Sequence, residues 1–208
     1  MTDLPEAARY RGYADLARAQ VRGRDYEIFV ARRRSSRIAV IAPHGGGIED
    51  GTSQAARAIA GEDFNLYLFE GLRPWHNFRA LHLTSHRFDE PECLALIAGC
   101  TRVLAVHGCA DNDDRLFVGG RDTALRDRLA AALSAGGTRA ATAGHRFPAT
   151  HPRNICNRGA TARGAQLELP QPLRRSAPAC GVVGAVRSVL LHYDRSTKPP
   201  LGRIAAAR

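Results

Sequence analysis

Short apolar runs, polar turns and Ala-rich helical segments alternate along the chain. The run at residues 38–42 is uninterrupted, and the segment 101–106 is apolar from Val103 onward, as in strands buried on both faces of a sheet, whereas residues 26–30 and 164–169 alternate between apolar and polar side chains. Helical patterns occupy residues 15–21, 54–60, 91–98, 119–133 and 182–193, and weaker strand patterns occupy residues 65–69, 80–84 and 138–143. Alternating strands and helices predict an α/β fold, a single-domain open sheet, mixed or mostly parallel, with helices on both faces.

The strand at residues 38–42 opens into a loop that contains His44, three glycines and Glu49. Imidazole and carboxylate are both zinc ligands, and glycines let the backbone turn tightly enough to aim both side chains at one point. A Gly-rich turn between strand and helix can also cradle phosphate, but neither G-x-x-x-x-G-K-[ST] nor G-x-G-x-x-G is present. A tight turn with a solvated histidine and glutamate is the other alternative. Thr52 or Ser53 is the expected N-cap of the helix that follows.

The strand at residues 101–106 also ends in a histidine, His107, which is followed by Gly108. If the two strands are parallel, both histidines lie on the edge of the sheet where ligands of open α/β folds bind. His44, Glu49 and His107 would then hold one zinc ion and leave a fourth position for water, whose pKa bound zinc lowers to about 7. Hydrolysis is the reaction that this arrangement favours.

A carboxylate is also present in the alternating strand near residue 166. Gln166 and Glu168 fall on one face of that strand, which ends at Pro170. Glu168 could take a proton from the attacking water and pass it to the leaving nitrogen. A solvated glutamate at the end of a strand is the alternative.

Length and composition indicate one domain. The chain has 208 residues, of which 44% are hydrophobic, which is enough for one well-buried α/β domain and short for two. We expect an N-terminal segment at residues 1–24, the hydrolase domain at residues 25–193 and a basic, flexible tail at residues 194–208.

The formal net charge of +10 indicates a polyanionic ligand. Nearly all the cations are arginines, with Lys198 the only lysine, and they are spread along the chain rather than gathered in one basic block. No recognition helix, zinc finger or basic-aromatic strand motif is visible, so nucleic acid is a less favoured partner than a small or polymeric acidic substrate.

The N-terminus and the cysteines indicate the cellular environment. No basic start with an apolar core is present and no apolar run reaches membrane-spanning length, so we expect a cytoplasmic protein, and we favour a monomer. The five cysteines form no C-x-x-C pair and leave one unpaired, which fits reduced thiols. Cys109 and Cys156 fall near the predicted site, where a buried structural thiol is favoured over a nucleophile.

Three motifs stand out along the chain. They are the run from His44 through Gly45, Gly46, Gly47, Ile48 and Glu49 to Gly51, Thr52 and Ser53, the pair His107 and Gly108, and the run from Asn154 through Cys156, Asn157, Arg158 and Gly159 to Gly164, Gln166, Leu167, Glu168 and Leu169. In this order they resemble the poly-γ-glutamate hydrolase family. The resemblance extends from about residue 25 to residue 193, and the family includes bacteriophage members.

The resemblance implies a zinc peptidase with an open α/β fold similar to carboxypeptidase A that cleaves γ-amide bonds of poly-γ-glutamate. It implies His44, Glu49 and His107 as the zinc ligands and Glu168 as the general base. Metallocarboxypeptidases usually show His-x-x-Glu, whereas four residues separate His44 from Glu49 here, so the match is to this family's own motif.

A substrate with a carboxylate on every residue needs cations that do not titrate, and the forked guanidinium of arginine suits this task. Arg158, within the matched motif, is the first choice, with Arg87 and Arg153 as further substrate-binding residues. His151 could bind substrate or donate a proton. Each of the last three could also be an ordinary surface residue.

Two other functions stay open on the sequence alone. The same zinc centre could deacylate a small γ-glutamyl or N-acyl compound, and an open groove or a closed pocket would separate this activity from action on a polymer. A basic, phage-associated nucleic-acid-binding protein is the alternative from another class, and its affinity for DNA would fall steeply with salt.

Overall fold

Seven strands form one mixed sheet with helices on both faces in the computed structural model, which describes residues 9–111, 114–176 and 181–197. The strands are β1 (Tyr26–Ala31), β2 (Ile38–Gly46), β3 (Asn65–Gly71), β4 (Arg102–Cys109), β5 (Leu116–Gly120), β6 (Ala140–Ala141) and β7 (Ala165–Pro170). The helices are α1 (Tyr13–Ala19), α2 (Thr52–Ala60), α3 (Asn77–Leu81), α4 (Pro91–Ile97), α5 (Thr123–Ala135), α6 (Gln171–Ser176) and α7 (Val182–Thr197), with one 3-10 turn at Ile155–Asn157. The predicted α/β class is confirmed.

The order of the strands brings the ends of β2, β4 and β7 together. The order is β1-β3-β2-β4-β7-β5-β6, and the four central strands β3, β2, β4 and β7 are parallel neighbours. β1 and β5 join them in antiparallel orientation, and β6 pairs with β5. The carboxyl ends of the central strands therefore share one edge of the sheet, where open α/β sheets bind ligands.

Two hydrophobic clusters cover the two faces of the sheet. Because successive strand residues point to opposite faces, Val40 and Val106 pack with α2, α5 and α7, while Ile41 and Ala105 pack with α1, α3 and α4. His107 lies two residues beyond Ala105 on β4 and so shares the second face.

A bulge interrupts β2 just before its end. Ala42 pairs with Leu68 of β3 and Gly45 pairs with Glu70, so β2 has one residue more than β3 over this interval. Pro43 lies within it, and bulges are among the few places in a sheet where proline, which has no N–H to donate, is commonly found. The bulge changes the direction of the next side chain, His44, which is buried.

The strand predicted at residues 80–84 is wrong. The helix α3 covers Asn77–Leu81 and an extended segment follows it. Leu81 and Leu83 are both buried, but Leu81 reaches the core from the helix and Leu83 from the extended segment. The alternation of buried Leu81 and Leu83, which resembled a strand, therefore comes from a helix end followed by an extended segment.

The helix predicted from residue 119 begins later, at Thr123, and Leu116–Gly120 is strand β5 instead. Asp122 sets the start of the helix because its side chain accepts the Leu125 N–H at 3.0 Å. The strand predicted at residues 138–143 is reduced to Ala140–Ala141.

The predicted N-cap of α2 is also wrong. Gly51, with φ of 91°, occupies the cap position, and the hydroxyls of Thr52 and Ser53 bind the loop instead.

The two ends of the chain are described only in part. Helix α7 continues past the predicted start of the tail to Thr197, and the Asp194 carboxylate accepts a hydrogen bond from Ser36 Oγ at 2.8 Å. Residues 198–208 of the predicted tail, and residues 1–8 of the predicted N-terminal segment, lie outside the described residues. Among the described helices, none has both the length and the apolar character needed to cross a membrane.

A glycine immediately before β7 provides a test of this packing. A Cβ atom at Gly164 would overlap the Cys156 carbonyl oxygen and lie 2.7 Å from that of Val103, and both are backbone atoms that cannot swing away. We expect Gly164→Ala to reduce the free energy of unfolding by on the order of 3 kcal/mol, as overpacking does.

The matched control is Gly184→Ala, because a Cβ atom there meets open space on α7. Alanine in a helix should raise the free energy of unfolding by up to about 1 kcal/mol. Urea unfolding of both variants measures the two effects. Similar small effects at the two sites would contradict the proposed backbone contact.

Candidate metal centre and active site

Two imidazoles and a carboxylate meet at the shared edge of the central strands. His44 lies at the end of β2, His107 near the end of β4, and Glu49 in the loop after β2, and all three side chains are buried. His44 Nδ1 is 3.0 Å from Glu49 Oε1 and 3.1 Å from His107 Nδ1. His107 Nδ1 is 3.8 Å from Glu49 Oε2. The structure thus brings together the three residues that the sequence predicted as zinc ligands.

The loop between His44 and Glu49 is held by its own backbone and by α2. The Glu49 N–H donates to the His44 carbonyl at 3.0 Å, and the Thr52 hydroxyl donates to the same carbonyl at 3.1 Å. Ser53 Oγ accepts the Gly46 N–H at 3.0 Å. At Gly45 a Cβ atom would overlap Ser53 Oγ, so a larger residue would push the loop away from the helix.

The donor atoms suit a divalent metal ion. His44 Nε2 lies 2.7 Å from the Leu83 carbonyl oxygen, which can only accept, so in the neutral ring Nε2 carries the proton and Nδ1 presents its lone pair. A carbonyl that accepts the second ring N–H is the arrangement typical of metal-binding histidines. The Gly108 N–H donates to Glu49 Oε2 at 2.7 Å and orients the carboxylate in the same way. Neutral imidazole and carboxylate are ligands that zinc binds.

A third imidazole, His82, also approaches this group. One ligand atom each from His44, Glu49 and His82 lie within 4.8 Å of one another, so these three residues could also hold a metal ion. The His82 ring is tilted by 39° against the His44 ring with centroids 4.2 Å apart, and it stacks on the Phe78 ring with centroids 4.4 Å apart. His82 was not among the predicted site residues, because no strand-end pattern marks it in the sequence.

Burial and nearby charges set the protonation of the imidazoles. Burial, and then the neighbouring His44, lower the pKa of His107 well below its ordinary value. Burial and His44 likewise lower the pKa of His82 to about 3. Burial is the largest influence on His44 and acts to lower its pKa, but the Glu49 carboxylate and the Leu83 carbonyl together raise the pKa above its ordinary value. His107 and His82 are therefore neutral at physiological pH, which is the form that binds metals.

Glu168 lies on β7 directly opposite His107 of β4 in the parallel register, and its side chain is buried. Gln166 Nε2 donates to Glu168 Oε1 at 2.7 Å. Burial, and then the charge of Glu49, raise the pKa of Glu168 well above its ordinary value, and the Gln166 hydrogen bond opposes this rise. A bound divalent cation nearby would favour the ionised carboxylate.

A cavity of about 530 Å³ opens over these groups. Its walls include all the residues just described, namely His44, Glu49, His82, His107, Gln166 and Glu168. The predicted residue His151 also lines it, together with His86, whose ring centroid is 5.4 Å from that of His151. The site can therefore admit a substrate to the metal-binding residues and to Glu168.

The arginines predicted to bind substrate do not line this cavity. The side chain of Arg158 donates to the Phe88 carbonyl and that of Arg87 to the Tyr10 carbonyl, both at 3.4 Å, while Arg153 is exposed. Arg146 is the one arginine among the described residues that line the cavity. It falls in a polar segment of several arginines, and no signal in the sequence distinguished it from the others.

The cysteines near the site are buried thiols. Cys109 lines the cavity, and Cys156 lies within the 3-10 turn with no exposed surface. Burial raises the pKa of Cys109 to about 12 and that of Cys156 further, so neither is a thiolate at neutral pH. Cys93 and Cys100 are also free and buried, and Cys180 lies outside the described residues.

Two solved structures resemble this fold over nearly their whole length. A bacteriophage poly-gamma-glutamate hydrolase has a TM-score of 0.83 and 33% sequence identity, and the match covers 90% of this chain and 98% of that chain. The zinc-free apo form of YndL has a TM-score of 0.79 and 28% identity, and the match covers 91% of this chain and 98% of that chain.

Sequence comparison gives the same relationship. The UPF0714 protein YndL of Bacillus subtilis (strain 168) is 37% identical over 154 residues, which are 73% of this chain and 60% of YndL. The chain therefore spans less than two thirds of the length of this relative. The family model described as poly-gamma-glutamate hydrolase matches residues 10–177, which include every residue of the site. The chain belongs to the poly-gamma-glutamate hydrolase family.

Proposed function

We propose that the protein is a zinc-dependent hydrolase of γ-glutamyl amide bonds, with poly-γ-glutamate as its substrate. The observation that supports this most strongly is the convergence of His44 Nδ1, His107 Nδ1 and the Glu49 carboxylate within 4 Å at the base of an open cavity. Membership of the family supports the substrate class.

The metal ligands and Glu168 have different roles in the proposed reaction. One zinc ion held by His44, Glu49 and His107 would supply Lewis acidity and a nucleophilic water at neutral pH. Glu168 takes the proton of the attacking water and donates it to the nitrogen of the scissile amide, which leaves as an amine. The Leu83 carbonyl and the Gly108 N–H hold His44 and Glu49 in place during these steps.

Arg146 is the cation best placed to bind a substrate carboxylate. Its guanidinium borders the cavity, is 63% exposed and donates to Asp111 Oδ1 at 2.9 Å. An exposed ion pair contributes little to stability, so a substrate carboxylate can replace Asp111 at low cost. The planar fork of arginine binds a carboxylate through two parallel hydrogen bonds.

Metal binding tests which histidine completes the site. We expect about one zinc per chain in the wild type, and a loss in affinity of at least the roughly 10–100-fold typical of disturbed metal sites in His107→Ala. His82→Ala should affect affinity much less, because His82 meets His44 through a tilted ring contact, whereas His107 Nδ1 lies 3.1 Å from His44 Nδ1. Competition with a chelating dye gives the affinities, and the shift in melting temperature on adding zinc confirms them.

His192→Ala is the matched control, since His192 is an exposed histidine of α7 that does not line the site cavity. If His82→Ala abolished zinc binding and His107→Ala did not, the ligand set would be His44, Glu49 and His82. Undiminished affinity in both variants would overturn the site itself.

Hydrolysis of γ-linked polyglutamate tests the role of Glu168. Glu168→Gln keeps the size of the side chain and an oxygen that can accept from Gln166, but it cannot accept a proton at neutral pH. We expect kcat to fall by about 10²–10⁴-fold, as when a general base is removed, with zinc affinity retained. Chain length of the polymer, followed by gel filtration, gives the rate.

Removal of zinc with a chelator should abolish activity, and added zinc should restore it. Full activity without metal would rule out the mechanism. If the protein cleaved small γ-glutamyl amides and left the polymer intact, the substrate would be a small γ-glutamyl compound and not poly-γ-glutamate.

Arg146→Ala should raise KM for the polymer by roughly tenfold or more, because a charge-assisted hydrogen bond contributes about 1.5–3 kcal/mol. kcat should change less, since Arg146 makes no described hydrogen bond to Glu168 or the metal ligands and its charge influences the pKa of Glu168 less than burial and Glu49 do. Arg153→Ala is the control, because Arg153 is exposed and does not line the cavity. If KM rose for Arg153→Ala and not for Arg146→Ala, Arg153, as predicted from the sequence, would be the residue that binds the substrate carboxylate.

A further inference from the structure

A chain of hydrogen bonds runs from the 3-10 turn to Glu168. The Cys156 N–H donates to Asn154 Oδ1 at 3.1 Å, Asn154 Nδ2 donates to Gln166 Oε1 at 3.0 Å, and Gln166 Nε2 donates to Glu168 Oε1 at 2.7 Å. The side chains of Asn154, Gln166 and Glu168 are all buried, at 5–6% exposure.

The direction of every bond in this chain follows from the backbone. A backbone N–H can only donate, so the atom of Asn154 that faces Cys156 is the oxygen and the atom that faces Gln166 is the amide nitrogen. Gln166 must then turn its own oxygen to Asn154 and its nitrogen to Glu168. The last acceptor is a carboxylate oxygen, so the chain is complete only when Glu168 offers that oxygen as an acceptor.

We propose that Asn154 and Gln166 are positioning residues: Asn154 orients the Gln166 amide, and Gln166 binds Oε1 of Glu168 and thereby reserves Oε2 for proton transfer. This inference rests on the proposed function for the identity of the reaction, but the hydrogen-bond chain itself can be measured without it. A carboxylate on a strand keeps two free side-chain torsions after χ1, and a strong hydrogen bond to one oxygen removes that freedom.

The inference also explains why two distant parts of the third sequence motif meet at one site. Asn154 begins the turn that contains Cys156, and Gln166 lies on β7 two residues before Glu168. The turn touches the substrate cavity only through Asn154, yet it is linked to the general base through one glutamine. The turn therefore acts on the chemistry through Gln166.

The decisive variant is Asn154→Asp, which has nearly the same shape as the wild type. Aspartate can still accept the Cys156 N–H, but it cannot donate to Gln166 when ionised. Gln166 must then turn its amide nitrogen toward the substituted side chain and its oxygen toward Glu168, which repels the carboxylate. We expect kcat to fall by roughly 10–100-fold, the range seen for outer-shell residues, with KM and zinc affinity unchanged.

Asn65→Asp is the matched control. Asn65 is equally buried and donates to the carbonyls of Ser36 and Ile38 at the opposite end of the central strands. The control variant should lose stability and keep its kcat, which separates the cost of a buried charge from the loss of positioning. If Asn154→Asp does not fold, Gln166→Met removes the donor to Glu168 with little change in volume, and the same fall in kcat is expected.

Nuclear magnetic resonance of the zinc-free protein gives a reading that does not depend on activity. In the wild type, the Gln166 Nε2 group should show scalar coupling across the hydrogen bond to the carboxyl carbon of Glu168. In Asn154→Asp this coupling should be lost and replaced by one to the carboxyl carbon introduced at position 154.

The outcomes distinguish the two proposals. A wild-type protein that shows the coupling but cleaves no γ-glutamyl bond would overturn the proposed function and leave the hydrogen-bond chain supported. Absence of the coupling in the wild type would overturn the positioning role. An unchanged kcat in a folded Asn154→Asp variant, with polymer cleavage intact, would overturn it as well.

Discussion

The site depends on bringing the imidazole of His44 onto the same face of the sheet as that of His107. In β2, residues 38, 40 and 42 point toward α2, α5 and α7, and residues 39 and 41 point to the opposite face. Continued without interruption, this period of two would point residue 44 away from His107. The bulge between Ala42 and Gly45 adds one residue and reverses the alternation, so that the two Nδ1 atoms lie 3.1 Å apart.

Burying these polar side chains together costs free energy, and hydrogen bonds and the central strands of the sheet offset that cost. Polar groups in an interior destabilise the fold unless each finds a partner, and here a backbone carbonyl, a backbone N–H and Gln166 bind the His44, Glu49 and Glu168 side chains respectively. β4 is hydrogen bonded on both sides, by β2 and by β7. The donor set is therefore built on strands whose positions are fixed by two neighbours each, which limits the freedom of His107 and Glu168.

The sequence was most informative where one strong pattern determined both structure and chemistry. Apolar runs that end in His44 and His107 predicted two parallel strands and a shared edge, and the structure has both. The sequence was least informative where short apolar patterns have two solutions, as at Leu81 and Leu83, which reach the core from a helix and from an extended segment. The bulge at Pro43 was not predicted either, because a bulge shows only when the register with β3 is known.

The residues proposed to bind substrate were harder to predict than those proposed to bind metal, for a physical reason. Strand ends have a fixed direction, so a histidine there can be placed from its position in the sequence alone. Arg146 and His151 belong to irregular segments between β6 and β7, whose backbone is held by local contacts such as the Asn157 side chain bonded to the Ala149 and His151 carbonyls. Such segments can change their cavity-facing side chains without moving His107 or Glu168, which are anchored in the sheet. Recognition of the substrate can therefore vary independently of the candidate metal centre, and the proposed positioning of Glu168 through Asn154 is the point at which the two are coupled.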